Sequence, residues 1–126
     1  LLALLAFVGT PALAQELDCS NAVTQQQMNA CAVQGYEAAD GDLNLAYQLA
    51  RSASKEMDQY LQGDETPGTI MLRDAQRAWI KYRDLACAHE ATLVRGGSME
   101  ALIYYSCLER ETRFRTESLR YFGETN

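Results

Sequence analysis

Cys87 stands ten residues before Gly97, and Cys107 stands ten residues after it. No other feature of the sequence restricts the fold as strongly. Glycine enters the left-handed conformation that closes a helix, so Gly96-Gly97 reads as the end of one helix and Ser98 as the cap of the next. Folding the chain at that turn sets two antiparallel helices side by side with both thiols at equal height, and a Cys87–Cys107 bridge follows. Cys19 then pairs with Cys31, tying the N-terminal segment to the first turns of the first helix; the other two pairings remain formally open. Each bridge adds about 2–4 kcal/mol. Zinc is the competing use of cysteine, but no two cysteines lie two to four residues apart and His89 is the one histidine. No metal or cofactor is expected.

The start of the chain points to an oxidising compartment. Leu1 to Ala14 carry no charge, run apolar to Val8 and end in the small-x-small triplet Ala12-Leu13-Ala14, the pattern of a signal peptide truncated at its start, with cleavage before Gln15. The run is too short to span a bilayer, and Glu16-Leu17-Asp18 before Cys19 is unlike a lipid-attachment site. A periplasmic or secreted chain without a membrane anchor is expected, with residues 15–126 as one domain.

The periodicity of residues 28–61 is helical. Met28, Cys31, Gly35, Ala39, Leu43, Ala46, Ala50, Ala53, Met57 and Tyr60 recur at steps of three and four. Thr24 with Gln27 forms a capping box that starts this long first helix near Gln25, while Gly41 between Asp40 and Asp42 suggests a kink. Residues 62–68 read as a linker, with Thr66 as cap and Pro67 in the first turn of the second helix. Leu72, Ala75, Trp79, Tyr82, Ala86, His89 and Leu93 form the second apolar stripe, with His89 as a half-buried core residue. Leu102, Ile103, Cys107, Phe114, Leu119 and Tyr121 form the third. The fold class is all-α: a three-helix up-down-up bundle with a long first helix, stapled by two disulfides.

Charge and motif content narrow the function. The net charge of −6 disfavours nucleic acid as a partner. It is unevenly spread: residues 24–62 hold five acids against two bases, and residues 66–95 hold five bases against three acids. Nucleophile, metalloprotease and phosphate-loop motifs are absent, and Asp40 and Asp42 point to different sides of a helix, so catalysis is not expected. Arg73, Arg77 and Lys81 stand four apart and line one helix face, where like charges repel. Either acids of neighbouring helices face them, or they form an edge that binds acidic groups of a partner.

An ordered set of residues extends this reading. Cys19 is followed by Thr24-Gln25-x-x-Met28-Asn29-x-Cys31-Ala32 and Tyr36-x-x-Ala39-Asp40-x-x-Leu43-Asn44-x-x-Tyr47. Then come Ala75-Gln76-Arg77-Ala78-Trp79-x-x-Tyr82-Arg83-Asp84-x-x-Cys87, Gly96-Gly97-Ser98, and Cys107 with Thr112-x-x-Arg115-x-x-x-Leu119. The set resembles the LprI-type lysozyme inhibitor domain, a small cysteine-containing helical module of exported bacterial proteins. The family takes its name from a lipoprotein member, whose lipid-attachment cysteine this sequence lacks. The resemblance gives no inhibitory residue to carry over; it marks the four cysteines and Trp79 as architectural, with Asp40, Asn44, Arg83, Asp84, Thr112 and Arg115 as candidates for a polar network between helices. It implies a protein partner, c-type lysozyme first among them. Independently of the resemblance, the basic edge of Arg73, Arg77 and Lys81 suits the two carboxylates of a glycan-cleaving cleft. The alternative is an envelope structural or protein-interaction module with no enzyme target.

Overall fold

The computed structural model describes residues 17–125; the leader reading of residues 1–14 lies outside them. Three helices make up the architecture: α1 over Gln25–Met57, α2 over Gly68–Ala91 and α3 over Glu100–Thr125. Disulfides join Cys19 to Cys31 and Cys87 to Cys107. The Asn29 side chain donates to the Ser98 carbonyl at the starts of α1 and α3, and Gly123 meets Leu49 and Ala50 further along. These two helices therefore run parallel, with α2 antiparallel to both, the up-down-up order expected from the sequence. Among the described residues no helix is long and apolar enough to cross a membrane.

The Thr24 hydroxyl accepts from the Gln27 N–H at 3.1 Å, and Gln27 Oε1 accepts from the Thr24 N–H at 3.1 Å. This capping box satisfies two free donors of the first turn and contributes about 1 kcal/mol. From there α1 runs 33 residues without interruption. The kink expected at Gly41 does not occur: Ala39, Leu43 and Ala46 are buried on either side of it, and their packing outweighs the roughly 1 kcal/mol that glycine costs in a helix.

The inner face of α1 is Ala32, Ala39, Leu43, Ala46, Ala50 and Ala53, so small that the α3 backbone can come close. Gly123 sits at that approach: a Cβ there would lie 3.3 Å from the Ala50 backbone nitrogen. Leu43, Ala46, Ala50 and Leu119 form one core cluster, flanked by Tyr47, Leu72, Trp79 and Phe122. Cys87, Cys107 and Leu108 form a second beneath Tyr36, Tyr104 and Tyr105. The α1–α3 interface is the principal one, and α2 lies against it less extensively.

Three boundaries differ from the sequence reading. First, α1 ends at Met57, because Asp58 turns its carboxylate to the start of α2 and accepts from the Gly68 and Thr69 N–H groups at 2.6 and 3.1 Å. Asp58 therefore does the capping expected of Thr66, and the N-cap position itself is Pro67, which has no side-chain acceptor. Second, α2 ends at Ala91, before a 3-10 turn over Thr92–Val94. Gly96 beyond it takes the left-handed conformation, φ +77°. Third, α3 starts at Glu100, one residue later than a cap at Ser98 places it, and the Glu100 carboxylate accepts from the Gly96 N–H at 2.7 Å.

Several residues of the expected stripes face outward. Met57, Tyr60, Tyr82, Leu93, Phe114 and Tyr121 are exposed, as are Ala75 and His89. The inner face of α2 is instead Leu72, Gln76, Trp79, Arg83 and Cys87, rotated from the predicted stripe by about one position. Hydrophobicity alone misplaced it because two of its five residues are polar.

Candidate functional site

Two features could carry function: a polar centre between the helices and the outward face of α2. The centre is built on Arg83, 6% exposed. Its guanidinium lies 5.0 Å from the centroid of the Trp79 ring and 5.4 Å from that of Tyr36, a cation held between two π faces. Nη1 donates to the Thr112 hydroxyl at 3.3 Å, and Nε donates to Asp84 at 3.0 Å. The Asp84 side chain is 48% exposed, so the buried cation is neutralised by an anion at the surface. Beside this group, Arg115 Nε donates to Gln76 Oε1 at 2.9 Å, and burial lowers the affinity of Arg115 for its proton. Burial also raises the Tyr36 hydroxyl, Arg83 opposing and Asp40 adding to the rise. Among the described residues every buried side-chain nitrogen or oxygen has a hydrogen-bond partner.

Of the residues singled out in the sequence, Trp79, Arg83, Asp84 and Thr112 meet here, and Arg115 adjoins them. Asp40 is half-buried near Tyr36, whereas Asn44 is exposed and takes no part. Sequence reasoning did not place Gln76 and Tyr36 in the network. The signal for Gln76 was the spacing 72, 76, 79, 83, 87, a helical face that only appears once polar residues are admitted to it; Tyr36, on α1, carried no such signal. Its hydrogen bonds and ring contacts tie α2 to α1 and α3, the arrangement of a strut between helices.

The outward face of α2 is different. Arg77, Ala78, Lys81, Tyr82 and Leu85 line a shallow depression of about 530 Å³. Met71, Tyr82 and Leu85 are 60, 63 and 67% exposed. Arg73 is held by Asp74 at 2.9 Å, but neither Arg77 nor Lys81 makes an ion pair with any described residue. The three cations of the predicted stripe are thus divided, one bound within the chain and two open to a partner. A second hollow lies between Ala88, Ala91, Ser98, Ala101, Tyr104 and Tyr105 at the α2–α3 turn.

Comparison with known proteins agrees with this architecture. Residues 18–119 match the family described as "Lysozyme inhibitor LprI". An uncharacterised protein of Rhizobium meliloti (strain 1021) is 43% identical over 130 residues, spanning 98% of this chain and 93% of that relative. The crystal structure of a DUF1311 family protein from Pseudomonas putida KT2440 superposes with a TM-score of 0.69 at 27% identity, covering 82% of this chain and 97% of that one.

Proposed function

The chain belongs to the LprI lysozyme inhibitor family, and on that footing we propose that it is a periplasmic or secreted lysozyme-inhibitor-like protein that blocks a host muramidase of the c type. The observation that carries this reading is the family match across residues 18–119, which takes in α1, α2, most of α3 and both bridges. Three physical features support it. Two disulfides that use all four cysteines suit an oxidising, proteolytic compartment outside the cytoplasm. The net charge of −6 favours encounter with the cationic surface of common lysozymes. Arg77 and Lys81 are free to meet the two carboxylates of a glycan-cleaving cleft.

The test is hydrolysis of bacterial cell walls by a c-type lysozyme, with and without oxidised protein comprising residues 15–126, at low and physiological salt. Dose-dependent inhibition that weakens with salt is the expected result. Unimpaired hydrolysis at large molar excess overturns the inhibitory reading and favours an envelope interaction module with a different protein partner.

A further inference from the structure

Met71, Ala75, Ala78, Tyr82 and Leu85 follow one another at steps of four, three, four and three, the period of a coiled-coil seam. All five are exposed, on a side of α2 distinct from the Leu72, Gln76, Trp79, Arg83 and Cys87 line that packs inward. A helix of a monomer has one apolar stripe to bury, and α2 carries this second one. Its centre is small: Ala75 and Ala78 stand between the bulkier Met71 at one end and Tyr82 and Leu85 at the other.

Charge on the flank of the seam identifies what fits it. Asp74 and Lys81 lie on the same side of the stripe and almost symmetrically about Ala78, as do Met71 and Leu85. We propose that the seam is covered by a second copy of this chain, docked antiparallel through α2 about a two-fold axis beside Ala78. In that arrangement Met71 of each copy meets Leu85 of the other, Tyr82 lies over the small Ala75, and Asp74 meets Lys81 twice. A two-fold contact requires a surface complementary to itself, and the paired acid and base, with bulk outside and alanine in the middle, satisfy that requirement without any other protein. Asp74 already holds Arg73 at 2.9 Å, and a carboxylate has lone pairs enough for a second cation.

A seam of two heptads on one helix falls at or below the low end of stable interface sizes, under about 1,200 Å² in total. The dimer is therefore weak and reversible, with a dissociation constant on the order of 100 µM. It needs no muramidase, although a cleft that engaged Lys81 would compete with it.

Sedimentation velocity of oxidised residues 15–126, from about 5 to about 500 µM, reads the equilibrium directly. Four proteins are compared: the unchanged chain, Ala78→Arg, Lys81→Asp, and Asp74→Lys combined with Lys81→Asp. These positions are exposed, and circular dichroism checks that each variant keeps its helices. The unchanged chain should dimerise with concentration, and Ala78→Arg should remain monomeric. Lys81→Asp should weaken the dimer about tenfold, and the double exchange should restore it to within about threefold. The restoration separates a direct Asp74–Lys81 contact from any general loss of structure. A chain that stays monomeric throughout overturns the proposal, and so does a dimer indifferent to Ala78→Arg and to the charge exchange.

Discussion

Arg83 on α2 donates to the hydroxyl of Thr112 on α3 at 3.3 Å, and Thr112 is wholly buried. The hydrogen bond joins the helix that has the smaller share of the interface to the one that has the larger. Removing either partner leaves the other worse off, because a buried donor without an acceptor keeps its full desolvation cost. Thr112→Val should therefore destabilise the fold by about 1–2 kcal/mol. Arg83→Ala should cost about 3 kcal/mol or more, since it also empties the space between the Tyr36 and Trp79 rings. Arg83→Met fills that space without a charge and should cost clearly less than Arg83→Ala. Urea unfolding followed by circular dichroism ranks the three, and equal losses for Ala and Met would mean that packing between the rings contributes little.

The two disulfides should not behave alike. Cys87 and Cys107 are buried in a core cluster, whereas Cys19 is exposed and Cys31 half-buried. Their loops are of similar length, 12 and 20 residues of separation, so the chain-entropy contribution is nearly the same for both, about 3 kcal/mol. Access decides the difference. Under mild reductant, alkylation should mark Cys19 and Cys31 well before Cys87 and Cys107. Mass spectrometry of the trapped thiols tests the order, and simultaneous labelling of all four would mean that the buried bridge opens as readily as the exposed one.

Gly41 and Gly123 are both helical glycines but differ in their surroundings. A Cβ on Gly41 would meet nothing within 4 Å, while one on Gly123 would face the backbone of Leu49 and Ala50. Gly41→Ala should raise stability by about 0.5–1 kcal/mol through helix propensity, whereas Gly123→Ala should gain nothing or lose stability because the α1 backbone cannot give way. Thermal unfolding of the two variants distinguishes them.

That contrast also marks how far the sequence could be read. The helices, their order and both bridges were legible because the apolar period and the symmetric placing of Cys87 and Cys107 about Gly97 are local signals. The uninterrupted α1 was not, since the cost of Gly41 is local while the packing that overrides it comes from α3. The rotation of α2 was hidden for a related reason: Gln76 and Arg83 are buried by virtue of Arg115, Trp79, Tyr36 and Thr112, partners that only the folded chain supplies. The cap provided by Asp58 to α2, ten residues onward, was equally out of reach of a search for Thr66 at the usual position. The basic stripe was legible as a line of charges, but Asp74 taking Arg73 and leaving Arg77 and Lys81 free depends on side-chain geometry.

Two carboxyls should give the fold an acid-sensitive limb. Burial pulls the Asp58 carboxyl up, but hydrogen bonds from Thr69 and Gly68 outweigh it and hold the group below its ordinary value. The hydrogen bond from Arg110 lowers Glu90 in the same way. A carboxyl lowered on folding contributes stability that is complete above its unfolded value and is lost as the pH falls through its folded one. Melting temperature should thus hold steady at neutral pH and fall as the pH drops below about 4. Asp58→Asn should be less stable than the unchanged chain at neutral pH and should show a shallower acid decline. Glu90→Gln should do the same by less than about 1 kcal/mol, because solvent and salt screen the exposed Arg110 pair. An unchanged acid slope in Asp58→Asn would remove Asp58 as a source of the effect.

Arg77 and Lys81 allow the inhibitory reading to be tested against plain electrostatic attraction. Replacing both with glutamate removes two positive and adds two negative charges, taking the net charge from −6 to about −10. If overall charge drives capture of a cationic lysozyme, the double variant should inhibit as well as the unchanged chain or better. If the two cations meet the carboxylates of the cleft, each reversal sets like charges against one another, and inhibition should weaken at least tenfold. Arg73→Ala should change little, since Asp74 already occupies that guanidinium at 2.9 Å. The comparison belongs at low micromolar chain concentration, where a weak dimer does not cover Lys81. Inhibition retained in Arg77→Glu with Lys81→Glu would exclude the outer face of α2 as the contact and turn the search to the exposed acids of α1, Glu37 on one side and Asp42 on another.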